Sequence, residues 1–222
     1  MKAVIVGFLV IMISVLLFGC CTMNINDEAL AYMEQKYGER FEYSQSYGDS
    51  MSGTYELLAT CESFPDQKIL VQIENYRKRF GRVFRDNYIA VKYRQETIDF
   101  IQDCTVEVFG EANIHYNVRS NVLSCDLSEN ATFYEYLADM RVPLSFTIRI
   151  KASSFTSEEQ ITKLAESLSE YGTHYIAIIA MITDEQFNII DENVPNSQLV
   201  LIRRVQLTRL GDISKTYWFG GE

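Results

Sequence analysis

Residues 175–182, Tyr-Ile-Ala-Ile-Ile-Ala-Met-Ile, are apolar without interruption. A run of this length suits a strand better than a helix, and a strand with no polar face must be covered on both sides. It therefore reads as a central strand, and the rest of the chain has to supply the layers that bury it. Val142, Leu144, Phe146, Ile148 and Ile150 recur at every second position, which marks the clearest half-buried strand of the chain. Between these two segments Thr156 and Glu159 have capping-box spacing. The helix they open carries Ile161, Leu164, Ala165, Leu168 and Tyr171 on one face, and Gly172 stops it. Strands and helices of comparable weight define an α+β fold.

The N-terminal half gives the same impression. Asn26 or Asp27 can cap a helix with Leu30, Met33 and Tyr37 on its buried face, ended by Gly38. Phe41 and Tyr43 open a short strand, and residues 48–53 form a turn cluster. Tyr55, Leu57, Ala59 and Cys61 alternate, as do Ile69, Val71 and Ile73 after the turn at Pro65-Asp66. Tight turns between such strands predict an antiparallel meander. One long helix is expected from Asp86 or Asn87 to Gly110, with Ile98, Ile101, Cys104 and Val108 buried. Ile114, Tyr116 and Val118 suggest a short strand, and Phe133, Tyr136, Leu137 and Met140 a short helix. Residues 184–197 read as a mixed loop with Pro195, followed by a strand on Leu199, Leu201, Val205 and Leu207. A turn at Gly211-Asp212 leads to the last strand, residues 213–219.

The expected body is thus antiparallel β-sheets packed with helices, divisible into two α-βββ lobes, 27–118 and 131–222. Tyr37-Gly38 followed by Phe41 recurs as Tyr171-Gly172 followed by Tyr175. An old duplication and a chance recurrence both account for that echo.

Composition narrows the function classes. The net charge of −10 favours solubility and argues against a nucleic-acid partner. Fourteen Tyr and thirteen Phe against three Pro fit a sheet-rich body rather than a disordered chain. Among the five cysteines, Cys61, Cys104 and Cys125 lie in the body without a close pair, and His115 and His174 lack ligand spacing. No metal, no cofactor and no catalytic residue is expected. Buried free thiols and a Cys104–Cys125 disulfide are the two readings of the cysteines.

Residues 3–18 are apolar behind Lys2, as in a secretory signal. The segment ends in Leu17-Phe18-Gly19-Cys20, which resembles the lipobox of bacterial lipoproteins. The resemblance implies that residues 1–19 are a signal peptide and that Cys20 receives a diacylglycerol and becomes the first residue after cleavage. The alternative is an uncleaved spanning helix, for which residues 3–21 are nearly long enough. Both place the body on the extracytoplasmic face, because Lys2 holds the N-terminus inside. Residues 20–26 would be a short tether, and residues 27–222 the domain, close against the membrane.

The one compositional anomaly is a basic stretch, Arg77, Lys78, Arg79, Arg82, Arg85, Lys92 and Arg94, with Asp86 the only acid among residues 77–94. It is either a cationic patch for anionic head groups, wall polymer or an acidic partner, or a solvated segment facing the acidic residues 26–66. Asp184, Glu185, Asp191 and Glu192 read as a solvated acidic loop without calcium-loop spacing. Tyr217-Trp218-Phe219 is either an exposed aromatic platform or a strand covering the core.

The stretches EALAYMEQKYGERF, DNYIAVKY and ASSFTSEEQ, behind the lipobox and a short spacer, resemble small Gram-positive surface lipoproteins. That resemblance implies a location and a fold class and carries no reaction. The expectation is a membrane-anchored, non-enzymatic binding module, with the membrane and a protein or cell-wall partner as its contacts. A membrane-tethered enzyme with a site of scattered residues and an inhibitor or immunity-type protein are the alternatives.

Overall fold

In a computed structural model of the chain, residues 24–49, 54–78, 81–118, 127–139, 143–189, 201–210 and 213–219 are described. Cys20, Cys21, Arg79, Cys125, Asp191 and Glu192 lie outside them, as do Met140, Val142, Pro195, Leu199 and the Gly211-Asp212 turn.

The first helix, α1 (Ile25–Tyr37), is capped by Asn24, whose side chain accepts from the Asn26 N–H. The cap therefore falls two residues ahead of the expected Asn26, and Ala29, Met33 and Tyr37 form the buried face. Gly38, at φ 70°, ends the helix in the left-handed conformation that glycine adopts without strain. Four strands follow: β1 (Phe41–Asp49), β2 (Thr54–Cys61), β3 (Ile69–Glu74) and β4 (Val83–Asp86). They form an antiparallel meander in the order β1-β2-β3-β4.

Two features of this sheet differ from expectation. β1 is longer than its two aromatic residues suggested, and irregularities near Tyr43–Gln45 and Ser46–Gly48 let it bend along β2. β4 lies inside the basic stretch. It has one buried residue, Asp86, and its pairing with β3 is made by the backbone, so no apolar alternation announces it.

Beyond β4 the expected long helix is two, α2 (Tyr88–Lys92) and α3 (Arg94–Phe109). The break falls at Tyr93, whose ring packs against Phe133 and Tyr136 and whose hydroxyl donates to the Ala131 carbonyl at 2.5 Å. Tertiary contacts thus set the kink, with no Pro or Gly involved. After α3 come β5 (Asn113–Tyr116), α4 (Phe133–Leu137), β6 (Leu144–Lys151), α5 (Glu158–Leu168), β7 (Tyr175–Ile182), α6 (Asp184–Ile189), β8 (Leu201–Leu210) and β9 (Ile213–Phe219).

The second sheet has the order β5-β6-β7-β8-β9, with β7 at its centre. Its β6–β7 pair is parallel, crossed over by α5, and its other pairs are antiparallel. The sheets are therefore one antiparallel and one mixed. β5 pairs with β6, so the sheet boundary falls between β4 and β5 rather than after residue 118. One core joins both sheets: Met33, Leu57, Ile69, Val71 and Ile101 belong to the same buried cluster as Ile148, Leu164, Ile179, Val205 and Leu207.

Local expectations are corrected in α5. Its cap is Ser157, one residue after Thr156, and the Gln160 side chain accepts from the backbone N–H groups of Thr156 and Ser157 at 2.7 and 3.2 Å. Tyr171 lies beyond the helix end and is 41% exposed, not on the buried face. Gly172 nonetheless has φ 72°, like Gly38, and each glycine precedes a strand that opens on a buried aromatic, Phe41 or Tyr175. The echo is thus structural at the glycine and the strand start, while Tyr37 is buried and Tyr171 is not.

Candidate functional site

Leu58 and Leu70 face each other across β2 and β3. They are buried yet form a cluster of their own, apart from the main core. Strand alternation explains this: Leu57 and Val71 point inward to the main core, so Leu58 and Leu70 point to the opposite face. Tyr116 of β5 and Val118 just beyond it line the same cavity as Leu58 and Leu70. Asn87 ties the two together. Its Oδ1 accepts from the Leu70 N–H at 2.7 Å, its Nδ2 donates to the Val118 carbonyl at 3.2 Å, and its own N–H donates to the Leu70 carbonyl at 3.2 Å. The two ends of one side-chain amide thus hold two backbone segments at a fixed separation.

That separation leaves a cleft of about 300 Å³, lined by Tyr47, Leu58, Gln67, Lys68, Leu70, Asn87, Val91, Arg94, Tyr116 and Val118. Its floor is apolar. Its polar groups are amides, phenols and two cations. Lys68 donates to the Ser44 hydroxyl at the rim, and Tyr116 shares a hydroxyl hydrogen bond with buried Tyr136. Arg94, the first residue of α3, is half-buried and makes no hydrogen bond or ion pair among the described residues. No carboxylate occurs among the described residues of the lining.

Beside the cleft lies a denser polar cluster. Asp86 accepts from the Tyr37 hydroxyl at 2.6 Å, from Lys36 Nζ at 2.7 Å and from the Tyr88 N–H at 3.0 Å. The Tyr37 and Tyr88 rings stack at 3.9 Å, and the Tyr88 hydroxyl donates to Glu39 at 2.5 Å. Burial pushes both phenols well above their ordinary pKa, and the Asp86 and Glu39 carboxylates add to it. At Glu39 burial acts upward but is outweighed by hydrogen bonds from the Tyr88 hydroxyl, Ser63 and the Cys61 thiol, so its carboxyl sits below the usual range. Each member is satisfied by another, so this cluster binds α1, β2, β4 and α2 to one another rather than offering free groups.

Two other concavities are less suited to recognition. One of about 290 Å³ at Arg40, Glu42, Cys61 and Pro65 has charges that pair with each other, Arg40 and Glu42 lying 3.7 Å apart. The other, about 490 Å³, is a groove on the outward face of β7, β8 and β9 over Ile176, Leu210, Tyr217 and Phe219.

Four of the six described residues of the basic stretch find partners within the domain. Arg82 pairs with Glu28 of α1 and donates to the Tyr76 carbonyl. Arg85 pairs with Glu74 of β3 at 3.2 Å, and Lys92 donates to the Glu129 carbonyl at 2.7 Å. Arg77 lies against the Tyr76 ring and hydroxyl. Much of the positive charge thus meets acids and carbonyls of the same domain, and among the described residues of the stretch Arg94 alone lines the cleft.

The other sequence candidates take structural places. His174 is buried at the start of β7 and His115 is exposed on β5. Asp184 opens α6, where both its oxygens accept from the Ser153 hydroxyl. Cys61 and Cys104 are buried free thiols. Of the aromatic trio in β9, Trp218 packs toward the core with Arg203 4.0 Å over its ring, while Tyr217 and Phe219 are exposed. No group of three or more His, Cys, Asp or Glu able to hold a metal occurs among the described residues. No helix among the described residues is long and apolar enough to cross a membrane.

The cleft was not readable from the sequence. Its residues come from five separated stretches, and the signal that points to it is the second apolar face of β2 and β3, where Leu58 and Leu70 break the alternation.

No family model matches the chain, and no curated protein is found similar to it. Among solved structures, a DUF5037 family protein from Ruminococcus gnavus ATCC 29149 is similar over 86% of this chain and 94% of its own, at 11% identity and a TM-score of 0.41.

Proposed function

We propose that this chain is an exported lipoprotein, attached to the extracytoplasmic face of the membrane through Cys20, and that its α+β domain is a non-catalytic binding module. The anchor rests on the lipobox-like Leu17-Phe18-Gly19-Cys20 behind an apolar run. Two acyl chains on one cysteine suffice for stable attachment. α1 begins at Ile25, so the domain stands within a few residues of the lipid surface.

The observation that carries the binding role is the cleft behind Asn87. Its apolar lining, fixed walls and Arg94, unpaired among the described residues, are recognition groups held in place before any ligand arrives.

The anchor is tested by replacing Cys20→Ala. The variant is expected to leave the membrane fraction or to accumulate as uncleaved precursor without incorporating labelled palmitate. Processing and anchoring identical to the parent chain defeat the lipoprotein reading. For the module, a photoreactive residue at Tyr47 on the cleft rim is expected to capture the ligand on cells, and one at Glu107 on exposed α3 is not. Equal labelling at both positions removes the cleft from the proposal.

A further inference from the structure

We infer that the cleft binds an organic carboxylate carried on a small apolar body. This deepens the reading of the cleft as the recognition site and rests on it. Arg94 is half-buried, stands at the N-terminus of α3 and has no partner among the described residues. Partial burial of an unpaired cation is unfavourable, and the positive end of a helix dipole makes it more so. Lys68 adds a second cation at the rim, and the Gln67 side chain has no hydrogen bond among the described residues. Leu58, Leu70, Val91 and Val118 form the floor.

An inorganic anion would satisfy Arg94 and leave that floor wet. A plain hydrocarbon would cover the floor and leave Arg94 unpaired. A molecule with both parts satisfies both, and the planar fork of a guanidinium matches a carboxylate through two parallel hydrogen bonds. The cavity, about 300 Å³, lies at the lower end of ligand pockets, which limits the body to one small ring or a few carbons. A free acid and the C-terminal end of a peptide share this chemistry.

The test uses the full chain in lipid nanodiscs with ligand-detected NMR. Benzoate is expected to bind at least about tenfold better than its neutral isostere benzamide or than inorganic phosphate. Arg94→Gln is expected to weaken benzoate at least about tenfold and to leave benzamide unchanged, while Arg94→Lys, which keeps the charge without the fork, falls between. An unaltered unfolding midpoint for Arg94→Gln excludes misfolding as the cause. A tripeptide ending in Phe, free or amidated at its C-terminus, separates the sources: tight binding of the free form supports a peptide end, and preference for benzoate a free acid. If benzamide equals benzoate, or if Arg94→Gln binds benzoate like the parent, the carboxylate assignment is overturned while the cleft remains a binding site. If no probe binds, the assignment and the cleft fall together.

Discussion

Lys36 Nζ lies 2.7 Å from Asp86 Oδ2, with 13% of one side chain and 1% of the other exposed. The pair joins the last turn of α1 to the end of β4, fifty residues away in the chain. Asp86 also takes the Tyr37 hydroxyl, so one carboxylate anchors the helix at two points. Lys36 further sits 4.9 Å over the Tyr37 ring.

Removing that carboxylate leaves a desolvated ammonium and a buried hydroxyl without their acceptor. Asp86→Ala is expected to cost about 3–5 kcal/mol, whereas Tyr37→Phe, which deletes one hydrogen bond and keeps the ring stacking, costs about 1–2 kcal/mol. Chemical denaturation of both variants checks the ratio. Comparable losses would mean that Asp86 is held by packing rather than by its partners.

Neighbouring leucines on β2 offer a test of the two-faced sheet. Leu57 is fully buried in the main core, so Leu57→Ala is expected to cost about 2–5 kcal/mol. Leu58 belongs to the cleft floor, where truncation enlarges a space already open to solvent. Leu58→Ala is expected to cost under about 2 kcal/mol and to weaken ligand in the cleft. A reversed order of stabilities would put the register of β2 on the wrong face.

Burial, and then the negative charges of Glu170, Asp103 and Glu107, push the Cys104 thiol up to about 11. The folded state therefore holds this proton more tightly than the unfolded chain, whose thiol titrates near about 8.5. The stability it contributes is complete below that pH and is lost as pH rises toward 11, an amount on the order of 3 kcal/mol at most. Cys61 shifts in the same direction, led again by burial. Denaturation of the parent chain at pH 7.5, 9 and 10 is expected to show falling stability, and Cys104→Ala a shallower fall. Parallel curves for the two proteins would exclude Cys104 as a source of the alkaline loss.

Arg82 separates a structural from a membrane role for the basic stretch. Its pairing with Glu28 is partly solvated, so Arg82→Gln is expected to cost about 1 kcal/mol or less. Retention of the purified chain on anionic vesicles is expected to be unchanged by the substitution. A clear loss of vesicle binding with no loss of stability would return Arg82 to a membrane-facing patch.

The α+β class, the meander of β1 to β3, the central place of β7 and the helices α1 and α5 were legible in the sequence. Period-two and period-3.6 patterns record which side of each element is buried, and Leu57, Ile73, Ile148 and Leu164 carry that record individually. β4 was not legible, because an edge strand held by backbone bonds needs no apolar side chains, and its residues read as charge. Nor was the break at Tyr93, which depends on rings at Phe133 and Tyr136 some forty residues on.

By itself the sequence determined which segments have a buried face, that Gly38 and Gly110 end helices, and that an apolar, lipobox-like segment precedes the domain. Tertiary structure alone decided the partner of β5, the parallel β6–β7 pair and the cleft. Periodicity is a property of consecutive residues, whereas pairing and concavity belong to residues brought together from afar. Asn87 shows the difference: it reads as a helix start in the sequence, and in the fold its amide bridges Leu70 to Val118 beside Arg94.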